Sequence, residues 1–370
     1  MNIDNLPYSK LVNMPALLNV FSSTAASYKY LFFLSLLDIL EETHFNKLVI
    51  RFEDILLEML ANAWFPHNYF KLSFGISDRI ARELDRLNLS FSDEKLSNVK
   101  NSKAVIKSLL LKTDFTNNNL LDMVPYLLLS PFFSKELKGF EGPTKHKKIV
   151  TLAQSQFKKS KPFYFFSDDG KSIIMNPQWM LYFYENQTVL RSFISWNWLE
   201  YMQRRNPSVP NLQLKLFPPS ARSSLNNQTA YWKQVLEREK LFCIFSGNLI
   251  TAEDLSIDHF LPWSFVAHDQ LWNLIPVSRS INSSKSNNLP SMERYFDKFV
   301  DLQYRGLQIY RNNPGKVSWN KVIEPYLADL RLNPGDLMDR GKLGKSLRNT
   351  IGPLSSLAAA QGFCEGWVYG

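Results

Sequence analysis

The chain has 370 residues, 45% hydrophobic and 21% charged, which excludes a mostly disordered protein and supports a sizeable core. Lysine and arginine total 43 against 34 aspartate and glutamate, a net charge of +9 that suits a polyanionic partner. The two cysteines, Cys243 and Cys364, exclude a disulfide-stapled scaffold and a four-cysteine zinc site.

The start, MNIDNLPYSK, lacks a basic segment followed by an apolar one, so no targeting signal is read there and the cytoplasm is the expected compartment. The uncharged stretch Tyr30–Leu37 is far shorter than the roughly 20 residues of a membrane-spanning helix, so no membrane insertion is expected. Residues 16–135 read as mostly helical, with apolar side chains at three- and four-residue steps and few glycines. Ser77 and Asp78 are candidate caps for a helix over 77–91.

Residues 135–161 carry eight lysines, among them Lys145, Lys147 and Lys148, against Glu136 and Glu141. The run reads either as a solvated loop or as a surface that tracks phosphates. Two β-prone segments then flank Asp169-Gly170, which predicts a hairpin over 163–176. Residues 180–205 read as one long helix. Its aromatics Tyr182, Phe183, Tyr184, Trp196 and Trp198, with Trp179 before it, fall at helical spacing and are expected in the core.

Residues 207–229 are rich in Pro, Ser and Asn and read as a linker. A helix, AYWKQVLEREK, leads into 241–291: a short strand LFCIF, a Gly-Asn turn, and the pair Asp258-His259, with Asn273 and Asn282 behind it. A carboxylate beside an imidazole suits metal-assisted hydrolysis, since oxygen ligands hold a hard cation and histidine takes a proton near neutral pH. Asn282 adds a neutral carbonyl oxygen of the kind that suits Mg²⁺ or Mn²⁺.

The segments IDHFLPWSF, LWNLIP and INSSKSNNLP resemble, in order and spacing, the three parts of the HNH, or ββα-metal, endonuclease signature. In wording and spacing they are most similar to the HNH domain of RNA-guided CRISPR nucleases, which likewise ends its motif in asparagine. The resemblance implies a nuclease. His259 would be its general base, Asp258 and Asn282 the ligands of one Mg²⁺ or Mn²⁺ ion, and Asn273 a brace for the loop and the His259 backbone. Lys285, one helical turn past Asn282, and Arg279 are candidate phosphate contacts. Where many HNH proteins hold structural zinc with two CxxC pairs, this chain has Cys243, Ser246, Ser278 and Ile281, so no structural zinc is expected. Packing of Phe242, Phe245, Phe260, Trp263, Phe265 and Trp272 is expected to hold the scaffold instead.

His268 reads as an ordinary polar loop residue and Cys364 as a buried thiol. DRGKLGKS, residues 339–346, is not a phosphate-binding loop, because Asp339 stands where the pattern needs glycine.

The fold class is therefore α+β. A helical N-terminal domain with the hairpin (1–206) is expected before the linker (207–229), then the nuclease module (230–295), then a helical C-terminal region (296–370). The expected substrate is DNA, with structured RNA as the alternative; a catalytically weak nucleic-acid-binding subunit is the rival from another class. The N-terminal part would position substrate or partner proteins. The arrangement resembles stand-alone bacterial phage-defence nucleases, such as the nuclease subunit of Zorya-type systems.

Overall fold

The structure, a computed structural model, describes residues 6–89, 102–219 and 224–370. The sequence readings at 1–5, 90–101 and 220–223 lie outside these residues. The fold is α+β, largely helical with small antiparallel strands. It divides into two compact units, Met1–Pro207 with Lys215–Pro218 and Ser208–Leu214 with Pro219–Gly370.

The first unit runs α1 (Met14–Leu18), α2 (Tyr28–Glu42), β1 (Val49–Arg51), α3 (Phe52–Trp64), α4 (Ile80–Leu87), α5 (Ser102–Leu110), α6 (Val124–Leu129), α7 (Gly142–Ser155), β2 (Tyr164–Phe166), β3 (Ser172–Met175), α8 (Pro177–Glu185) and α9 (Gln187–Arg205). Helix α2 is buried without a break from Tyr30 to Leu37, on all faces of two turns, so it forms the centre of this core. The carboxylate of Glu58, 1% exposed, is met by Lys103 at 2.7 Å and by Lys107. Lys103 and Arg191 both reach Asp38 at 2.6 Å. These partners offset the desolvation of the acidic groups.

The predicted hairpin forms, with Phe166 opposite Ile173 and Tyr164 opposite Met175. Gly170 takes φ +66, and Asp169 Oδ1 accepts from the Lys171 N–H at 3.0 Å. A third strand, β1, extends the sheet to the order β1-β3-β2; its three residues are too few to show an alternation in sequence.

Several expectations need correction. The single helix over 180–205 is two helices, because the backbone leaves helical geometry at Asn186, with φ −123 and ψ 23. Trp179, Tyr182, Phe183 and Trp198 are buried as expected, but Tyr184 and Trp196 are 60% and 41% exposed. The centre of the lysine run is helix α7 and not a loop; there Lys147 is exposed and Lys148 lies over the Phe140 ring. Within the linker reading, Val209, Leu212 and Leu216 are buried, so the segment is packed.

The second unit holds α10 (Asn226–Arg238), β4 (Leu255–His259), α11 (Trp263–Val266), β5 (Leu274–Ser278), α12 (Arg279–Lys285), α13 (Met292–Asn312), α14 (Trp319–Leu330) and α15 (Arg340–Ala360). The expected LFCIF strand reduces to one bridge, Phe242 to Leu249, and Phe242 is 58% exposed rather than part of the core. Phe245, Phe260, Phe265 and Trp272 are buried, and Trp263 is half-buried. Cys364 is exposed, unlike the buried thiol expected, and it is its backbone that is engaged, the carbonyl accepting from Leu289 N–H at 2.8 Å. The Asp339 that breaks the phosphate-loop pattern is the N-cap of α15, accepting from Lys342 N–H at 3.0 Å.

Helices α10 and α13 cross where Gly306 leaves room for Tyr231 and Trp232. A Cβ at 306 would stand 2.7 Å from Tyr231 Oη and 3.0 Å from the Trp232 ring, and both side chains are buried. Gly306→Ala should therefore lower stability by about 1–3 kcal/mol despite alanine's better helix propensity. Gly352→Ala, in α15 with open space around it, should not. Thermal melts of the two variants against the parent check this.

Candidate active site

Strands β4 and β5 pair antiparallel, with Asp258 opposite Ile275 and His259 opposite Leu274. Helix α12 follows β5 directly, started by the Ser278 side chain, which accepts from Ile281 N–H at 3.4 Å. Successive strand residues point to opposite faces, so Ser256 and Asp258 share one face and His259 turns the other way. Helix α12 lies on the Ser256–Asp258 side. Asn282 Nδ2 donates to Ser256 Oγ at 2.8 Å and to the Ile257 carbonyl at 3.4 Å. One turn later Lys285 reaches Asp258, and its ammonium also donates to the His259 carbonyl at 2.7 Å.

Asp258 is 4% exposed. Burial pushes its carboxyl above the usual range, against the opposing pull of Lys285 and His259. Its Oδ1 takes a hydrogen bond from Lys285 at 3.3 Å, while Oδ2, 3.1 Å from the same nitrogen, has no hydrogen-bond partner. Asn282 spends its amide N–H groups on β4, and its Oδ1 has no hydrogen-bond partner among the described residues. A buried carboxylate oxygen and an amide oxygen on one side of the module are hard donors and fit a divalent ion. No group of three or more His, Cys, Asp or Glu residues suited to a metal occurs among the described residues. The fit therefore rests on one carboxylate and one amide.

Asn273 is fully buried. Its Oδ1 accepts from Leu261 N–H at 2.9 Å, its Nδ2 donates to the Leu261 carbonyl at 3.0 Å, and its own carbonyl accepts from Phe260 N–H at 2.8 Å. It thus ties down the two residues after His259, while the His259 carbonyl goes to Lys285.

Lys285 itself is 0% exposed, so it is not placed to meet a phosphate at the surface as the sequence suggests. A buried ammonium needs a counter-charge, and Asp258 supplies it. Arg279 is exposed at the start of α12, its backbone N–H 3.4 Å from Asp254 Oδ1. Lys145, Lys147 and Lys148 belong to the first unit and the remaining residues to the second.

The sequence reading missed Asp269. Its Oδ1 lies 2.8 Å from His259 Nε2. The only signal was an acidic residue ten positions on, in a loop whose path could not be read. His268 beside it is more than a polar loop residue. Its Nδ1 accepts from Gln270 N–H at 3.3 Å and its ring lies against Trp272, centroids 5.1 Å apart. Burial, with the nearby His259, pushes its pKa down to about 4.

Residues 243–291 match the family model of the HNH endonuclease. This module is an HNH endonuclease domain. No curated protein and no solved structure matches the chain. An HNH domain supports nuclease activity on nucleic acids, and HNH nucleases generally use divalent metal ions. No helix among the described residues is long and apolar enough to cross a membrane.

Two predictions concern the stability of the HNH unit. Lys285→Met leaves the buried Asp258 carboxylate without its counter-charge and should cost about 3–5 kcal/mol in urea unfolding, with part regained in Asp258→Asn/Lys285→Met. His268 titrates near 6.5 when unfolded and near 4 when folded, so between those values the unfolded state binds more protons. Its contribution is intact above pH 6.5 and is lost as pH falls through 4. His268→Asn should flatten the decline in stability from pH 7 to 4 by roughly 2–3 kcal/mol, measured by unfolding at each pH.

Proposed function

We propose that the protein is a metal-dependent endonuclease that nicks DNA, with His259 as general base and Asp258 and Asn282 as the metal-holding pair. The observation that carries this reading is the pairing of a buried acidic–histidine dipeptide at the end of β4 with an asparagine from the helix after β5. A divalent ion, Mg²⁺ in this reading, would supply positive charge for the phosphate and the departing 3′-oxygen. His259 takes a proton from water as it attacks phosphorus in line with that oxygen. The products are a 5′-phosphate and a 3′-hydroxyl. Asn273 holds the chain after His259, so that the imidazole keeps its place through the reaction.

DNA is preferred over structured RNA as the substrate, and the net charge of +9 supports a polyanion in either case. Arg279, exposed at the helix start, and Lys145, Lys147 and Lys148 on α7 are the proposed phosphate contacts. The wording of the motif, most similar to the HNH domain of RNA-guided nucleases, and the pairing of a helical N-terminal part with a small nuclease module support a role in bacterial anti-phage defence. Partner proteins would then dock through the N-terminal unit.

Incubation with supercoiled plasmid tests this. Wild-type protein with Mg²⁺ should yield open circles first and linear DNA later, since one module holds one base. EDTA should stop the reaction. His259→Ala should slow it about 10²–10⁴-fold while leaving DNA binding unchanged. Cleavage by His259→Ala at the wild-type rate, or undiminished in EDTA, would refute the mechanism. Cleavage confined to folded RNA would move the substrate from DNA to RNA.

A further inference from the structure

We propose that Asp269 is a positioning residue that selects which imidazole nitrogen of His259 acts as the base, making Nδ1 the reactive atom. The inference rests on the role of His259 proposed above and adds a residue outside the motif. His259 Nε2 and Asp269 Oδ1 are 2.8 Å apart, and the two side chains are 8% and 20% exposed. A carboxylate only accepts hydrogen bonds, so the hydrogen in this contact belongs to Nε2. A neutral imidazole carries one such hydrogen. The lone pair is then on Nδ1, which has no protein partner among the described residues and is free to take a proton from water.

The loop that brings Asp269 to this place is held from several sides. Ala267 adopts φ +51, a left-handed conformation that ends α11 and redirects the chain. Asn211 Nδ2 donates to the Val266 carbonyl at 2.9 Å. Gln228 Nε2, from α10, donates to the carbonyl of Asp269 itself at 3.1 Å. Behind the loop, Trp272 Nε1 donates to Asp329 of α14 at 2.7 Å, and the His268 ring lies tilted against that indole. Asn211, Gln228 and Asp329 all lie outside residues 243–291. The flanking helices thus do more than cover the HNH core. They set the carboxylate that sets the imidazole, as residues behind a reactive histidine commonly do.

The test combines spectroscopy and kinetics. In metal-free protein labelled with ¹⁵N-histidine, NMR of the imidazoles should show the His259 hydrogen on Nε2, as a downfield proton in slow exchange with water. Asp269→Ala should lose that resonance, whereas Asp269→Asn should keep it, because the amide oxygen still accepts. With supercoiled plasmid and Mg²⁺, Asp269→Ala should lower kcat roughly 10–100-fold with KM within about threefold, and Asp269→Asn should recover most of the loss. A wild-type hydrogen on Nδ1, or Asp269→Ala with wild-type kcat, would overturn the proposal. If Asp269→Ala fails to fold, Asp269→Asn and the wild-type assignment still decide it. A wild-type protein that cuts no nucleic acid would sink the nuclease reading instead, while the NMR assignment would continue to judge the His259–Asp269 pairing.

Discussion

The nuclease module is organised around one buried cation. The Lys285 ammonium, with no exposed surface, sits between the Asp258 carboxylate and the His259 carbonyl. An ammonium removed from water must find negative partners or become too costly to keep charged. Meeting that requirement docks α12 against β4, which places Asn282, one turn earlier, on the strand at Ser256. The same contact fixes the backbone at His259. One ion pair therefore sets the mutual placement of the acid, the asparagine and the histidine that the proposed chemistry needs.

The rest of the unit answers the other side of β4. Asn273 closes the chain at Phe260 and Leu261, and Gln303 of α13 donates to the Leu274 carbonyl at 2.9 Å, at the start of β5 where it faces His259. Tyr326 in turn donates to Gln303 Oε1 at 2.6 Å. The tail closes over the end of the motif: Trp367 bridges Pro290, and its ring packs on Phe245. A two-stranded pair is marginal by itself in water, and these helices and the tail supply the missing core. The 49 residues from 243 to 291 are thus one part of a larger compact unit, Ser208–Leu214 with Pro219–Gly370.

Asp258, His259, Asn273 and Asn282 stood out in sequence as the proposed site because a motif is a matter of residue type and spacing, and both survive in a linear string. The hairpin was legible for a similar reason: Asp169-Gly170 specifies a turn locally, and Gly170 takes the positive φ that such a turn requires. The break at Asn186 was not, since asparagine is compatible with a helix, as Asn197 is within α9, and only the backbone conformation at 186 separates the two helices. Strand β1 escaped notice because three residues carry no period, and only β3 beside it makes them a strand.

Lys285 and Asp269 mark the boundary between the two kinds of information. By residue type, Lys285 is a surface cation suited to phosphate, and Asp269 is one more polar residue in a loop. Burial reverses the first reading, because a lysine without solvent must take a carboxylate of its own chain. A left-handed turn at Ala267 and hydrogen bonds from Asn211 and Gln228 create the second role, because they carry an acidic side chain to an imidazole ten residues away. The sequence alone determined an α+β chain with an HNH module and the residues proposed to carry its chemistry, since these follow from local pattern. Which charges are buried, and which nitrogen of His259 is held, was decided only by tertiary structure, since both depend on desolvation and on contacts between segments far apart in the chain.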